Sequence, residues 1–297
     1  YRSNAQSRAL EEALLRIGIP YRIYGGLRFY DRLEIKNAIS YLKVIFNNSD
    51  NPAFERSISN PTRGAGQKTL AKVRDEAKKS GISYIKAAAK LIDEGAIKGK
   101  GASGLGSYLE FIANAFEMLQ THNLSELVEH INVKSGLYDF HKKEPGEKGK
   151  TRTENLDELV SAAKNFEQSF NEDKDNKEIV ESFLDVISLD AGDRQAGEHD
   201  DAVQLMTLHS AKGLEFKLVF LTGMEESLFP HGRSMESASQ LEEERRLCYV
   251  GITRAMRKLY LTYAESRRLH GTDIFNPPSR FLKEIPAELI EEIRPRA

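Results

Sequence analysis

Seven consecutive positions, HSAKGLE, gather several ligand-capable groups in His209, Ser210, Lys212, Gly213 and Glu215. Polar loops of this kind, set between apolar strands, are where an open α/β sheet holds its ligand crevice. A second candidate lies downstream at Arg254, in EEERRLCYVGITRA. A guanidinium with room to extend can grip a phosphate through two parallel N–H bonds, which a lysine ammonium cannot reproduce. Each group also has a plainer reading. The loop could be a solvated strand-to-helix turn, and a single arginine on a helix is most often a surface ion-pair partner.

The elements that must hold these groups can be read from hydrophobic period. Val203 to Leu208 is apolar at nearly every position, as is Leu218 to Leu221, and both predict strands buried on two faces of a parallel sheet. Glu242 to Tyr263 reads as a helix feeding a strand. Cys248, Ile252, Ala255 and Leu259 recur at helical spacing and predict a core stripe. Arg254 lies off that stripe, three residues after Gly251, so its side chain is expected to pass over a position with no side chain to block it.

Two further stretches could meet nucleic acid. In GGLRFYDR, Arg28 and Arg32 flank Phe29 and Tyr30, the mixture of cation and π-face that tracks a single strand and stacks its bases. Phe29 and Tyr30 could equally be core residues. In NPTRGAGQKT, a Gly64-Ala65-Gly66 turn opens a helix and can aim backbone N–H groups at a phosphate, with Arg63 and Lys68 supplying charge. An ordinary helix–helix turn explains the same residues. Gly149, Lys150 and Thr151 spell the tail of a phosphate-binding loop, but Glu144 stands where its first glycine is required and no strand precedes it. No apolar strand ends in an adjacent Asp-Glu pair fit for magnesium, and no metal-ligand, Ser-His-Asp or Cys-His constellation is present.

The 297 residues suit two domains better than one small core. With 40% hydrophobic and 30% charged residues, no bilayer-length apolar run and no secretory leader, composition predicts a globular cytoplasmic chain with no membrane partner. Its single cysteine excludes an internal disulfide. A formal net charge of -2 means that any nucleic-acid contact must come from local patches. After an expected helix at Ser7 to Ile17, a strand at Tyr21 to Tyr24 and a helix at Ile35 to Phe46, the tract NNSDNP reads as a linker. From there to about residue 200 the periodicity is helical, with helices expected at Thr69 to Lys79, Tyr84 to Ile92, Gly106 to Gln120, Ser125 to Ser135, Thr153 to Gln168 and Lys177 to Leu189. GKGASGLG and HKKEPGEKGK are expected loops. The chain opens at Tyr1 in the middle of what reads as a strand, which suggests a piece of a longer protein.

TLHSAKGLEF and EEERRLCYVGITRA closely resemble motifs V and VI of the UvrD/PcrA/Rep type of superfamily 1 DNA helicases. YRSNAQSRALEEALLRIGIPYRIYGGLRFYDRLEI and PPSRFLKEIP carry the same likeness. The resemblance implies an α/β fold: a discontinuous RecA-like parallel-sheet domain, residues 1–46 and 201–297, interrupted by an inserted all-α domain over 47–200. It implies the second motor domain of an ATP-dependent 3′ to 5′ helicase of DNA repair or replication. ATP and Mg2+ would be cofactors of the full-length enzyme, with the metal ligands and phosphate loop outside these residues, so that the chain alone should be inactive. In that likeness Arg254 resembles the arginine reaching the γ-phosphate and Glu215 the acid that bonds the ribose. Thr207, His209 and Lys212 resemble positions that touch the DNA strand or link it to the cleft. Arg28, Phe29 and Tyr30 would face the DNA track. Arg63, Gly64, Gly66 and Lys68 would hold duplex through a helix-hairpin-helix-like turn, where Ala65 replaces the family's larger aliphatic residue. Implied partners are single-stranded DNA, single-strand/duplex junctions and the N-terminal RecA-like domain of the same protein. A non-catalytic DNA clamp and the helicase subunit of a helicase-nuclease complex are the alternatives.

Overall fold

From its first residue the chain builds α1 (Ser7–Arg16) and β1 (Tyr21–Ile23), and it returns to the same compact unit only after residue 194. The computed structural model describes residues 1–170, 175–192, 200–269 and 272–293. One unit comprises residues 1–28 with 195–297, and the other is the intervening stretch 29–194.

In the split unit, β2 (Val203–Leu205) pairs in parallel with β1, Tyr21 opposite Val203 and Ile23 opposite Leu205. A second parallel pair joins β3 (Phe216–Thr222) to β4 (Ala255–Thr262), with α11 (Ala238–Ile252) as the crossover between them. This is the strand–helix–parallel strand unit that the hydrophobic runs predict. A short antiparallel hairpin, β5 (Arg267–Leu269) with β6 (Thr272–Ile274), follows. Leu221, with Leu259 and Leu261 of β4, packs on Leu208, Met224, Phe229, Leu247, Cys248 and Phe281. The opposite face of β3 is open: Leu218 and Phe220 are 49% and 57% exposed, and the Phe220 ring stacks on Tyr260 at 4.8 Å. Two-sided burial is therefore not found in β3, and Val203 of β2 is also exposed. Ala255 and Leu259 lie on β4, so the core stripe expected from helical spacing ends with the helix at Ile252. Buried Glu244 of α11 accepts a two-pronged ion pair from Arg2 and a hydrogen bond from the His231 amide. That tie fastens the start of the chain to the helix carrying the second motif.

The unit 29–194 is helical throughout its described residues: α2 (Leu33–Phe46), α3 (Asn51–Ser59), α4 (Gln67–Ser80), α5 (Tyr84–Asp93), α6 (Gly99–Thr121), α7 (Leu124–Lys134), α8 (Leu137–Lys142), α9 (Glu147–Glu167) and α10 (Asn176–Gly192). The sequence assigns the helix before residue 46 to the sheet domain, whereas α2 contributes Ile35, Ala38, Ile39, Tyr41, Leu42, Val44 and Ile45 to the helical core. A helix apolar on nearly every side can be satisfied only inside a bundle, and the compact units accordingly divide at residue 28. The tract read as a linker is a helix start. Asp50 accepts the Ala53 amide at 2.9 Å, and Pro52 occupies the first turn, where a missing N–H costs nothing. GKGASGLG, expected as a loop, forms the first turns of α6. Gly149 of the false phosphate loop is buried in α9, where a Cβ would lie 2.7 Å from the His141 carbonyl oxygen. Its role is close helix packing.

The result is a discontinuous RecA-like α/β domain interrupted by an inserted all-α domain. Among the described residues no helix is long and apolar enough to cross a membrane.

Candidate nucleotide and nucleic-acid site

The loop between β2 and β3 is pinned by its apolar residues and presents its polar ones. Leu208 and Ala211 are buried, while His209, Lys212 and Glu215 are exposed. Thr207 folds the loop onto itself: its hydroxyl lies 3.1 Å from that of Ser210 and accepts the Ser210 amide, and its carbonyl accepts the Ala211 amide at 3.0 Å. Gly213 turns the chain at φ 85°, a conformation open to glycine but strained for other residues. Gly25 of the GGLRFYDR loop packs here too, since a Cβ on it would lie 3.2 Å from the Ser210 hydroxyl.

Arg254 sits at the junction of α11 and β4 and reaches directly to this loop. Its Nη1 donates to the Leu214 carbonyl at 2.8 Å, its Nε to the Val250 carbonyl at 2.9 Å and its Nη2 to the Thr253 hydroxyl at 3.0 Å. The Arg254 carbonyl accepts the Phe216 amide at 2.9 Å, so Glu215 is bracketed by two bonds to Arg254. A guanidinium carries five N–H donors. Three are used inside the protein, and the remaining two can meet an anion. Gly251 has a different role from the expected one. It is buried, and a Cβ there would lie 2.6 Å from Leu208 Cδ2 and 3.1 Å from Leu221 Cδ2. The missing side chain lets α11 seat on the loop and on β3, and the arginine instead folds back along its own helix to Val250.

In the helical unit, the Gly64–Gly66 turn leads into α4. Gly64 has φ 76°, and Gly66 begins the helix without a side-chain cap. The lead-in to α6 packs along this turn: Lys72 Nζ donates to the Ala96 carbonyl at 2.9 Å, and a Cβ on Gly64 would lie 3.2 Å from the Lys100 carbonyl. Lys68, Lys98 and Lys100 are exposed around it.

Residues 1–266 match the model of the UvrD-like helicase C-terminal domain. The chain belongs to that family. It is 50% identical over 297 residues to DNA helicase II of Escherichia coli K12, covering 100% of this chain and 41% of that protein. It is 47% identical over 296 residues to DNA helicase II of Haemophilus influenzae, covering 100% and 40%. It is 43% identical over 295 residues to the ATP-dependent DNA helicase PcrA of Bacillus subtilis, covering 99% and 40%. The chain thus spans about two-fifths of the length of the curated relatives it matches.

In this UvrD-like chain Thr207, His209, Lys212 and Glu215 share one loop, and Arg254 bonds to it through the Leu214 carbonyl. Phe29 and Tyr30 are 1% and 7% exposed and belong to the helical core, the alternative reading of that pair. Arg28 is buried, with its guanidinium 5.9 Å from the Tyr21 ring centroid. Gly64, Gly66 and Lys68 are exposed on the α4 turn, but the Arg63 guanidinium turns into the protein. Lys98 and Lys100 were not singled out by sequence. Their signal was legible, because no acidic residue occurs between Glu55 and Asp75 or between Glu94 and Glu110, and these two stretches pack together.

Arg254 and Glu215 fit a nucleotide, with donors for a phosphate and an exposed acceptor for a sugar hydroxyl. Among the described residues no group of three or more His, Cys, Asp or Glu is placed to hold a metal ion. Cys248 is buried, and desolvation, followed by nearby Glu284, pushes its thiol up to about 12, far from a reactive thiolate.

Proposed function

We propose that this chain is the second motor domain and inserted duplex-binding domain of an ATP-dependent 3′ to 5′ DNA helicase acting in DNA repair or replication. The division follows the compact units, with residues 1–28 and 195–297 as motor and 29–194 as insert. The supporting observation is the bond from Arg254 to the Leu214 carbonyl, which ties a phosphate-competent guanidinium to the loop carrying Glu215 and His209.

ATP, when bound, supplies the phosphoanhydride whose cleavage releases the energy for movement. Arg254 directs its two remaining donors at the terminal phosphate, where such an arginine is worth about 10³ to 10⁵ in rate by neutralising transition-state charge. Glu215 accepts from a ribose hydroxyl. A shift of the Arg254 guanidinium pulls on Leu214 and, through a loop pinned by Leu208 and Ala211, on Thr207, His209 and Lys212 against the single strand. The phosphate loop and magnesium carboxylates come from the N-terminal RecA-like domain of the same protein. Duplex ahead of the junction is held by the amides of the Gly64–Gly66 turn and by Lys68, Lys98 and Lys100. The protein works in the cytoplasm on single-strand/duplex junctions.

Purified residues 1–297 should bind single-stranded DNA and show no DNA-stimulated ATP hydrolysis, since positioned donors without a phosphate cradle or metal cannot assemble the reacting geometry. Turnover by the chain alone, surviving rigorous purification, would contradict this division of labour.

A further inference from the structure

Arg63 is placed by sequence where a cation could hold a phosphate, immediately before the Gly64–Gly66 turn. Both terminal nitrogens of its guanidinium are engaged by the protein. Nη1 donates to the Tyr41 hydroxyl at 2.5 Å and to the carbonyls of Pro61 at 3.0 Å and Ser57 at 3.3 Å, and Nη2 donates to the Ser135 carbonyl at 2.5 Å. The guanidinium carbon also lies 5.4 Å from the Tyr41 ring centroid and 5.7 Å from that of Tyr108. Both rings are 0% exposed. The Tyr41 hydroxyl donates onward to the Asn60 carbonyl at 2.9 Å, and the Tyr108 and Ser57 hydroxyls lie 2.6 Å apart. One side chain thereby ties α2, the end of α3, α6 and the residue after α7 to the stretch from Pro61 to Arg63 that leads into Gly64. A phosphate at Arg63 would have to displace carbonyl acceptors and leave them unpartnered beside buried rings.

We propose that Arg63 is a positioning residue: it holds the Gly64–Gly66 turn rigid and takes no phosphate itself, while Lys68, Lys98 and Lys100 supply the charge. The inference rests on the proposed reading of this turn as the duplex surface. Lys98 and Lys100 are exposed and form no ion pair among the described residues, and the Gly64 backbone sits against Lys100. A rigid turn offers its amides to a phosphate without an ordering cost at binding, so its loss weakens affinity without changing the number of phosphates neutralised.

These roles separate on a plot of log affinity against log salt, measured with duplex and single-stranded DNA on the intact protein. Arg63→Gln should lower duplex affinity by about tenfold at every salt concentration, a parallel displacement with unchanged slope. Arg63→Lys should not rescue it, because an ammonium keeps the charge but cannot reproduce a planar fork over several carbonyls. Tyr41→Phe, a buried change that keeps the ring, should give a smaller parallel displacement, about threefold. It keeps the proposal testable if Arg63 variants fold poorly. Lys98→Gln with Lys100→Gln should reduce the slope by about 0.9 for each lysine. A slope change in Arg63→Gln restored by Arg63→Lys would make Arg63 a phosphate ligand and overturn the proposal. Wild-type duplex affinity in Tyr41→Phe, or equal losses on duplex and single strand in Arg63→Gln, would overturn it as well. If the lysine pair changes neither slope nor affinity, the underlying reading of the turn as a duplex surface fails, whatever the Arg63 lines show.

Discussion

Replacing Gly251 by alanine should damage both stability and coupling, although alanine is the better helix former. A Cβ at this buried position would lie 2.6 Å from Leu208 Cδ2, about 1 Å inside ordinary carbon–carbon contact. Leu221 Cδ2 at 3.1 Å closes the opposite route of relief. Overpacking of this kind costs about 1 to 3 kcal/mol. The gain from removing a helical glycine is about 0.8 to 1 kcal/mol. The net expectation is a loss of about 1 kcal/mol, read as a lower urea midpoint at unchanged slope for the transition of the sheet unit. The functional effect should exceed the stability effect. Leu208 stands between Thr207 and His209, and moving α11 off it shifts Arg254 relative to the Leu214 carbonyl, now 2.8 Å away. DNA-stimulated ATPase of the intact protein should therefore fall well beyond the fraction unfolded. A Gly251→Ala protein as stable as wild type with full turnover would refute the claim that this glycine sets the fit between helix and loop.

Cys248 should resist an aromatic disulfide reagent at pH 8 in the native protein and react on unfolding, because burial pushes its thiol up to about 12; stoichiometric labelling without loss of structure would contradict its place in the core. The Arg2–Glu244 tie predicts acid lability. Burial pushes the Glu244 carboxyl up, but the Arg2 guanidinium and the His231 amide outweigh it and hold the group below its ordinary 4.5. A carboxyl depressed on folding stabilises fully above that ordinary value, and its contribution is lost as pH falls below 4.5 through the folded value. Urea midpoints should thus hold from pH 7 to about 5 and drop below about 4.5, less steeply in Arg2→Met; equal steepness in both proteins would remove Glu244 from the effect.

The α/β class and the inserted helical region were legible because each rests on hydrophobic period at short range, whereas Arg254 and the His209 loop were linked only through the likeness of their two motifs to one family. Leu208 and Leu221 declare a core, and Glu215 and Lys212 declare an exposed loop. What could not be read is direction. Arg63 and Arg254 are both arginines beside a glycine, yet one packs its guanidinium against two tyrosine rings and carbonyls of the helical unit and the other reaches the carbonyl of Leu214 in the loop that carries Glu215. Phe29 and Tyr30 fit a stacking loop or a core equally until the partners of α2 are known. Gly251 and Gly149 read as room for a neighbour's side chain or as a loop, while Gly251 lets its helix seat on the Leu208 and Leu221 side chains and Gly149 lets α9 close on the backbone of His141 and Glu144. NNSDNP misled because the residues that cap a helix are also those that make linkers.

The central claim is that Arg254 acts on the nucleotide and that its guanidinium is linked to the DNA loop through Leu214. In the intact protein, Arg254→Ala should lower DNA-stimulated kcat by about 10³ or more while single-strand affinity stays within about twofold of wild type. Arg254→Lys should not restore turnover, because it lacks the fork that bonds Leu214 and the phosphate together. Parallel measurement of kcat and single-strand Kd decides it. If Arg254→Ala weakens DNA binding as much as it slows hydrolysis, the residue belongs to the DNA track and the proposed coupling is wrong.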